Sequence, residues 1–209
     1  MIRKYLKLYI KAIYGGAMVS FGGFVYLASD VKFVGALIFT LGLFTICEFG
    51  FCLFTGRVGY ALFKGISYIT DLLVILLGNL TGCLIMGNLT AFVKPGLVEV
   101  AQTLCTVKIS ESLFQNFVLS FFCGIMMFVA VEFHKTKESP AKFLGMFLAV
   151  PLFIICGFEH SIANMFYFTL AGTPTLTILY CITVTVLGNA AGSIVFSLYK
   201  FLGKNVKKS

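Results

Sequence analysis

The sequence predicts an all-α membrane protein with six transmembrane helices arranged as two inverted three-helix repeats. The chain of 209 residues is 59% hydrophobic and only 11% charged, with a mean hydropathy of +1.00, which excludes an ordinary water-soluble domain. Apolar runs of about 20 residues, long enough to cross ~30 Å of hydrocarbon, can be placed six times. The motif L-G-N-x-x-G occurs twice, 110 positions apart, which indicates an internal repeat.

The six runs cover residues 10–29, 33–54, 69–90, 113–133, 143–170 and 176–198. The first run has a basic start and a small-residue end, as a cleaved secretory signal would. We expect it to be retained, because its apolar stretch is longer than a signal core and the repeat needs it. The segments outside the runs are too short for a soluble domain. We therefore predict a single domain, 1–209, with repeat halves of about 1–91 and 112–209.

Lysine and arginine set the predicted orientation, because they are retained on the cytoplasmic side. With both termini inside, 13 of the 16 basic residues lie on the inner side, and only Lys32, Lys94 and Lys108 lie outside. This asymmetry predicts cytoplasmic termini in a plasma (inner) membrane. The net charge of +8 is explained by topology and by attraction to anionic lipid, so nucleic acid is not a predicted partner.

The repeat places three spans in each half. The motif reads L-G-N-L-T-G at 77–82 in the third span and L-G-N-A-A-G at 187–192 in the sixth. An odd number of spans per half makes the second half cross in the opposite sense, and proteins built this way bind solutes near the midplane, where helices are broken. Polar and small residues predict breaks at 53–56 in the second span and 159–164 in the fifth. Because a half-helix N-terminus attracts anions, we expect a channel or transporter that prefers a small anion.

His160 is the residue on which the predicted function depends. It lies with Glu159 and Asn164 inside a run apolar enough to cross a membrane. An ionisable side chain at that depth costs ~2.5–3.5 kcal/mol on insertion scales, and it normally marks a solute pathway. The alternative is a hydrogen-bonded structural histidine.

Residues 157–165, G-F-E-H-S-I-A-N-M, closely match the signature of the formate/nitrite transporter family. The chain also resembles that family at 53–56, L-F-T-G, and at 78–82, G-N-L-T-G, so the similarity extends over nearly the whole sequence. The resemblance implies a homopentamer of six-span protomers with an aquaporin-like fold, each with its own pore. It further implies conduction of formate, nitrite, hydrosulfide or a similar small anion, with a proton in some members. It implies neither an enzyme nor a cofactor.

Family roles carry over to matching positions. They imply that Thr55 and His160 form a central polar pair, which Glu159 and Asn164 orient. The implied apolar constriction residues are Phe39, Leu43, Leu53 and Phe153. The implied vestibule lysines are Lys7 inside and Lys108 outside. Each role has a structural alternative, namely a helix cap for the threonine, loop hydrogen bonding for the glutamate, packing for the hydrophobic residues and topology for the lysines. The asparagines of the repeated motif are expected to make interhelical hydrogen bonds rather than to contact solute.

Two positions depart from the family pattern. Cys52 stands where the family usually has a carboxylate, and Glu48, one helical turn earlier, is expected to take its place. Gly124 stands where the family usually has an asparagine. Both departures leave the identity of the conducted anion open.

Two other classes of function are weighed. An aquaporin-like neutral-solute pore shares the six-span inverted repeat, but no proline here follows an asparagine, so the N-P-A motif of that family is absent. An intramembrane enzyme or a haem or metal protein needs clustered ligands, and the chain has only two histidines. The seven cysteines include no C-x-x-C pair and are interpreted as reduced packing residues.

Overall fold

The computed structural model describes residues 2–136, 140–173 and 175–199, and these residues form helices joined by turns and irregular segments. The helices are α1 Ile2–Ala28, α2 Lys32–Glu48, α3 Ala61–Lys64, α4 Ser67–Val93, α5 Gly96–Ser110, α6 Leu113–Thr136, α7 Leu144–Ile155, α8 Ser161–Ala171 and α9 Thr175–Ser197. Single turns of 3₁₀-helix lie at Val58–Tyr60 and Pro140–Phe143. Five of the lysines used to predict orientation lie outside the described residues, namely Lys137, Lys200, Lys204, Lys207 and Lys208.

Within the described residues, four helices are long and apolar enough to cross a membrane: α1, α4, α6 and α9. They correspond to the first, third, fourth and sixth predicted spans. The second and fifth predicted spans are interrupted. The second is helical only as far as Glu48, and the fifth divides into α7 and α8. The prediction of an all-helical chain is therefore confirmed, and both interruptions fall in the spans where the polar residues predicted them.

The two breaks are built alike. The first runs from residue 49 to residue 57 and the second from 156 to 160. The second residue of each is a glycine in the left-handed region, Gly50 at φ +65° and Gly157 at φ +66°, a conformation that costs glycine little because it has no Cβ. The second break differs from its predicted position, because Ser161 already begins α8. The reason is a side-chain cap: the ring of His160 accepts a hydrogen bond from the Ala163 amide and starts the helix.

Helix α1 packs along α4, and α6 packs along α9. At Gly16, a Cβ would lie 2.8 Å from the main-chain carbonyl carbon of Asn79, and at Gly124 one would lie 2.9 Å from that of Asn189. The family asparagine that Gly124 replaces therefore has no room here, because the backbone of α9 occupies its place. The close contact of Gly16 with Asn79 is therefore equivalent to that of Gly124 with Asn189. The two glycines are 108 positions apart in the chain, and the two asparagines are 110 positions apart.

The segment between the two predicted repeat halves, about residues 92–111, contains a helix. It is α5, which packs against α8 and carries Lys108 in its last turn. The lysine is buried, so α5 delivers a charged side chain into the protein rather than merely connecting its halves.

Candidate functional site

Asn79 fastens the first break to the long helices. Its Nδ2 donates to the main-chain oxygens of Ala12, at 2.7 Å, and Cys52, at 2.8 Å, while its Oδ1 accepts from the Phe54 amide at 2.9 Å. The side chain is fully buried. Irregular backbone at this depth requires such partners, because lipid supplies none.

Asn189 fastens the second break in the same way. Its Nδ2 donates to the main-chain oxygens of Ser120, at 2.9 Å, and Glu159, at 2.8 Å, and its Oδ1 accepts from the Ser161 amide at 2.8 Å. The predicted interhelical hydrogen bonds of both asparagines are confirmed. Asn79 binds the residues on either side of Leu53, and Asn189 binds those on either side of His160. The repeat therefore relates Leu53 to His160 and Cys52 to Glu159, an offset of 107 residues.

The two breaks meet at Thr55 and His160. The Thr55 Oγ1 lies 3.0 Å from the His160 Nε2, and both side chains are buried. The ring of Phe153 stacks on the imidazole, with centroids 5.6 Å apart and planes 19° apart. Residues 105 positions apart thus form one polar contact in apolar surroundings.

The cap fixes which imidazole nitrogen carries the proton. His160 Nδ1 accepts a hydrogen bond from the Ala163 amide at 3.1 Å, so this nitrogen uses its lone pair as the acceptor and carries no proton. The neutral ring then carries its proton on Nε2 and donates it to Thr55 Oγ1. The threonine hydroxyl keeps its own proton for a further acceptor. The start of α8 is less open to anions than the sequence predicted, because His160 and Asn189 already bind the Ala163 and Ser161 amides.

Glu159 joins α5 to α8. Its Oε1 lies 2.5 Å from Lys108 Nζ, and its Oε2 accepts from Asn164 Nδ2 at 2.5 Å. All three side chains are buried. The carboxylate therefore neutralises the lysine and orients the amide directly beside His160.

Glu159→Leu is expected to lower the free energy of unfolding by about 3–5 kcal/mol, because it leaves the Lys108 ammonium buried without its counter-ion. The double variant Lys108→Met/Glu159→Leu removes both charges and should recover most of that loss. Thermal unfolding of purified protein in detergent measures both effects. A double variant no more stable than the single variant would contradict the ion-pair explanation.

Two cavities adjoin the central pair, and we name each by its cation. The Lys108 cavity, of about 100 Å³, is lined by Lys108, His160 and Asn164, and by the rings of Phe39 and Phe153. These two rings meet edge to face, with centroids 6.2 Å apart.

The Arg57 cavity, of about 230 Å³, is lined by Leu43, Leu53, Gly56, Arg57 and Lys135, among others. Gly56 follows Thr55 in the chain, Leu53 lies two residues before it, and Leu43 lies one turn after Phe39 on α2. The structure therefore gathers nine of the ten predicted site residues, all but Lys7, around the two cavities and the contact between them.

Lys7 lies apart from this group on an exposed face of α1. It is Lys11, one turn later, whose carbonyl binds the break through the Cys52 amide at 3.1 Å. The expectation that Glu48 replaces the missing carboxylate is wrong. Glu48 ends α2 and pairs with His134, at 2.7 Å, and with Lys142, at 3.7 Å. It is held by α6 and the turn before α7, away from the position of Cys52 in the break.

Sequence reasoning did not assign Arg57, Lys135, Tyr26 or Tyr167 to the cavities. The sequence repeat alone, with its offset of 110, does not find them, whereas the structural offset of 107 relates Arg57 to Asn164. Across the described segments, no three histidine, cysteine, aspartate or glutamate side chains are grouped to hold a metal ion.

A family model described as "Formate/nitrite transporter" matches residues 1–202. This chain belongs to the formate/nitrite transporter family. With its apolar helices, it is a membrane protein of a family that contains channels and transporters. The resemblance carried by residues 157–165 is thereby confirmed.

Named relatives of the family include formate channels. The chain is 32% identical over 149 residues to "Formate channel FocA" of Haemophilus influenzae, which covers 65% of this chain and 52% of that protein. It is 31% identical over 186 residues to FocA of Escherichia coli, covering 77% and 65%. It is 28% identical over 209 residues to "Uncharacterized transporter YwcJ" of Bacillus subtilis, covering 88% and 78%. The chain thus matches about half to two thirds of the length of the FocA relatives.

Two solved structures share the fold. A "Pentameric formate channel with formate bound" superposes with a TM-score of 0.84 at 24% identity, covering 98% of each chain. An "FNT family ion channel" superposes with a TM-score of 0.80 at 24% identity, covering 95% of this chain and 90% of that one. The overall arrangement of helices is therefore that of formate/nitrite transporter channels.

Proposed function

We propose that the protein is a channel or transporter for small monovalent anions, with formate, nitrite and hydrosulfide as the candidates. The family and its formate-channel relatives support this function. A homopentamer is supported by the pentameric formate channel of the same fold. Six membrane crossings in two inverted halves, about 1–91 and 112–209 of a single domain, are supported by the equivalent contacts of Asn79 and Asn189. The distribution of lysine and arginine supports cytoplasmic termini in a plasma membrane.

One observation carries the proposal: the contact of Thr55 with His160 where the two breaks meet. An anion entering hydrocarbon faces an idealised Born cost of about 20 kcal/mol, which relaxation reduces to several. A passage therefore has to replace the hydration of the anion. The imidazole Nε2–H and the threonine hydroxyl are two donors 3.0 Å apart in otherwise apolar surroundings, and both can turn to one small acceptor.

In the proposed path the anion moves between the two cavities past this pair. Phe39 and Phe153 constrict the path on the Lys108 side, and Leu43 and Leu53 constrict it on the Arg57 side. At the centre the anion takes the Nε2 proton of His160 in a shared hydrogen bond while Thr55 supplies a second one. Glu159 and Asn164 hold the histidine segment in place, and Lys108 provides positive potential at one mouth. The family assigns the other mouth to Lys7.

A flux panel tests the function. Purified protein in proteoliposomes is given labelled formate, nitrite, hydrosulfide or lactate at several pH values, with protein-free liposomes as the control. We expect saturable uptake of at least one small anion, and a rate that rises as the pH falls if a proton accompanies it. Water and glycerol permeability are measured on the same vesicles. Permeability to these neutral solutes without any anion uptake would favour the aquaporin-like alternative and overturn the proposal.

A further inference from the structure

The two cavities carry different charge. The described residues lining the Arg57 cavity include two basic side chains, Arg57 and Lys135, and no carboxylate. The Lys108 cavity has one cation, and Glu159 neutralises it at 2.5 Å. Among the lining residues that the structure describes, the Arg57 cavity therefore carries more basic groups without a counter-ion than the Lys108 cavity.

Arg57 is half-buried, and its guanidinium has no hydrogen bond or ion pair with any residue that the structure describes. Two acidic residues close to cavity-lining residues of α6 have other partners: Glu48 pairs with His134 and Lys142, and Glu132 accepts from the Tyr60 hydroxyl at 2.8 Å. A half-buried guanidinium in a cavity wall presents five N–H donors that can bind a small anion entering the cavity.

Lys135 is held beside the same cavity by an aromatic ring. Its Nζ lies 4.1 Å from the centroid of Tyr60, a cation–π distance. The ammonium retains its three N–H donors there. Two cations lining one cavity repel each other unless an anion lies between them, so the arrangement is suited to binding one.

The internal repeat explains why no carboxylate neutralises Arg57. The offset of 107 relates Glu159 to Cys52 and Asn164 to Arg57. In the second half, a carboxylate neutralises the cation and binds the amide. In the first half, a buried thiol occupies the position of the carboxylate and a guanidinium follows it five residues later. The departure at Cys52 thus removes the group that would have neutralised Arg57.

From these observations we infer that the Arg57 cavity is an anion-binding vestibule, in which Arg57 and Lys135 hold a small monovalent anion before it reaches Thr55 and His160. The inference rests on the proposed function for its role in transport. Because only one mouth carries the site, the two faces of the protein bind the transported anion unequally. In a passive pore at equal pH, the ratio of maximal rate to half-saturation concentration is the same for entry from either face. A site at one mouth therefore shows itself as half-saturation concentrations that differ between the two faces.

Sided flux measurements test the vestibule. Formate entry is measured in inside-out and right-side-out vesicles at equal pH and zero membrane potential. Arg57→Gln is expected to raise the half-saturation concentration about three- to tenfold for entry from one face only, as loss of one nearby charge predicts. Arg57→Lys should keep most of the wild-type value. Lys64→Gln is the matched control, because it removes an exposed charge close in sequence that does not line the cavity. Equal shifts from both faces, or none, would overturn the inference.

A second measurement does not depend on transport. Crystals of the wild-type protein and of Arg57→Gln are soaked in bromide, and anomalous density locates the ion. We expect bromide between Arg57 and Lys135 in the wild type and its loss in the variant. An empty cavity in wild-type crystals would overturn the vestibule. A wild-type protein that binds bromide there but transports no anion would instead overturn the proposed function and leave the binding site intact.

Discussion

His160→Phe is expected to lower anion flux about 10- to 150-fold, since a charge-assisted hydrogen bond is worth about 1.5–3 kcal/mol and the dry passage offers no substitute. Phenylalanine keeps a ring that can stack on Phe153 but supplies no donor. The proposed pentamer should still assemble, because the lost cap to the Ala163 amide costs only about 1 kcal/mol. Labelled-formate uptake in proteoliposomes and size-exclusion chromatography in detergent measure the two effects.

His160→Asn separates the cap from the imidazole. Asparagine is among the best helix N-caps, so this variant should restore the stability of α8. Its amide is shorter than the imidazole and loses contact with Thr55, so flux should remain strongly reduced. If His160 had only a structural role, His160→Asn would transport at the wild-type rate. Wild-type flux in His160→Phe would remove the histidine from the mechanism altogether.

The sequence correctly predicts which two spans are interrupted, because the causes are local. Polar and small residues at 53–56 and 159–164 indicate the second and fifth spans, and the repeated asparagines lie on the helices that hold the breaks. The contact between Thr55 and His160 was accessible only through the family resemblance, since no spacing rule joins positions 105 residues apart.

Other features depend on three-dimensional packing, and the sequence could not supply them. The start of α8 at Ser161 is set by a side-chain cap, and α5 is a helix of modest amphipathicity inside a segment with Pro95 and Gly96. Glu48 was assigned by its distance along a helix, but α2 ends there and the carboxylate pairs with His134 instead. Arg57 was counted as a topology signal, because a sequence does not reveal whether a cation has a partner.

Asn189→Leu is expected to lower the free energy of unfolding by at least about 3 kcal/mol, because it removes three buried hydrogen bonds and leaves the Ser161 N–H and the Glu159 carbonyl unsatisfied. Those two groups flank His160 in the chain, so flux should fall as well. Thermal unfolding in detergent and formate uptake measure the two consequences. Unchanged stability would show that the Asn189 bonds do not hold the break.

Asn79→Leu is the matched test of the repeat. Asn79 makes the same three kinds of hydrogen bond to the first break, so its loss should destabilise the protein by a similar amount, while the displaced residue is Leu53 rather than the histidine. Asn88→Leu serves as the control on the same helix. Asn88 is exposed, and its amide donates to the Leu84 carbonyl of its own helix, so a change of less than about 0.5 kcal/mol is expected. Similar stability losses in Asn79→Leu and Asn189→Leu, with a larger flux defect in Asn189→Leu, would mean that the two halves share one structural device and that only the second half uses it to position a proton donor.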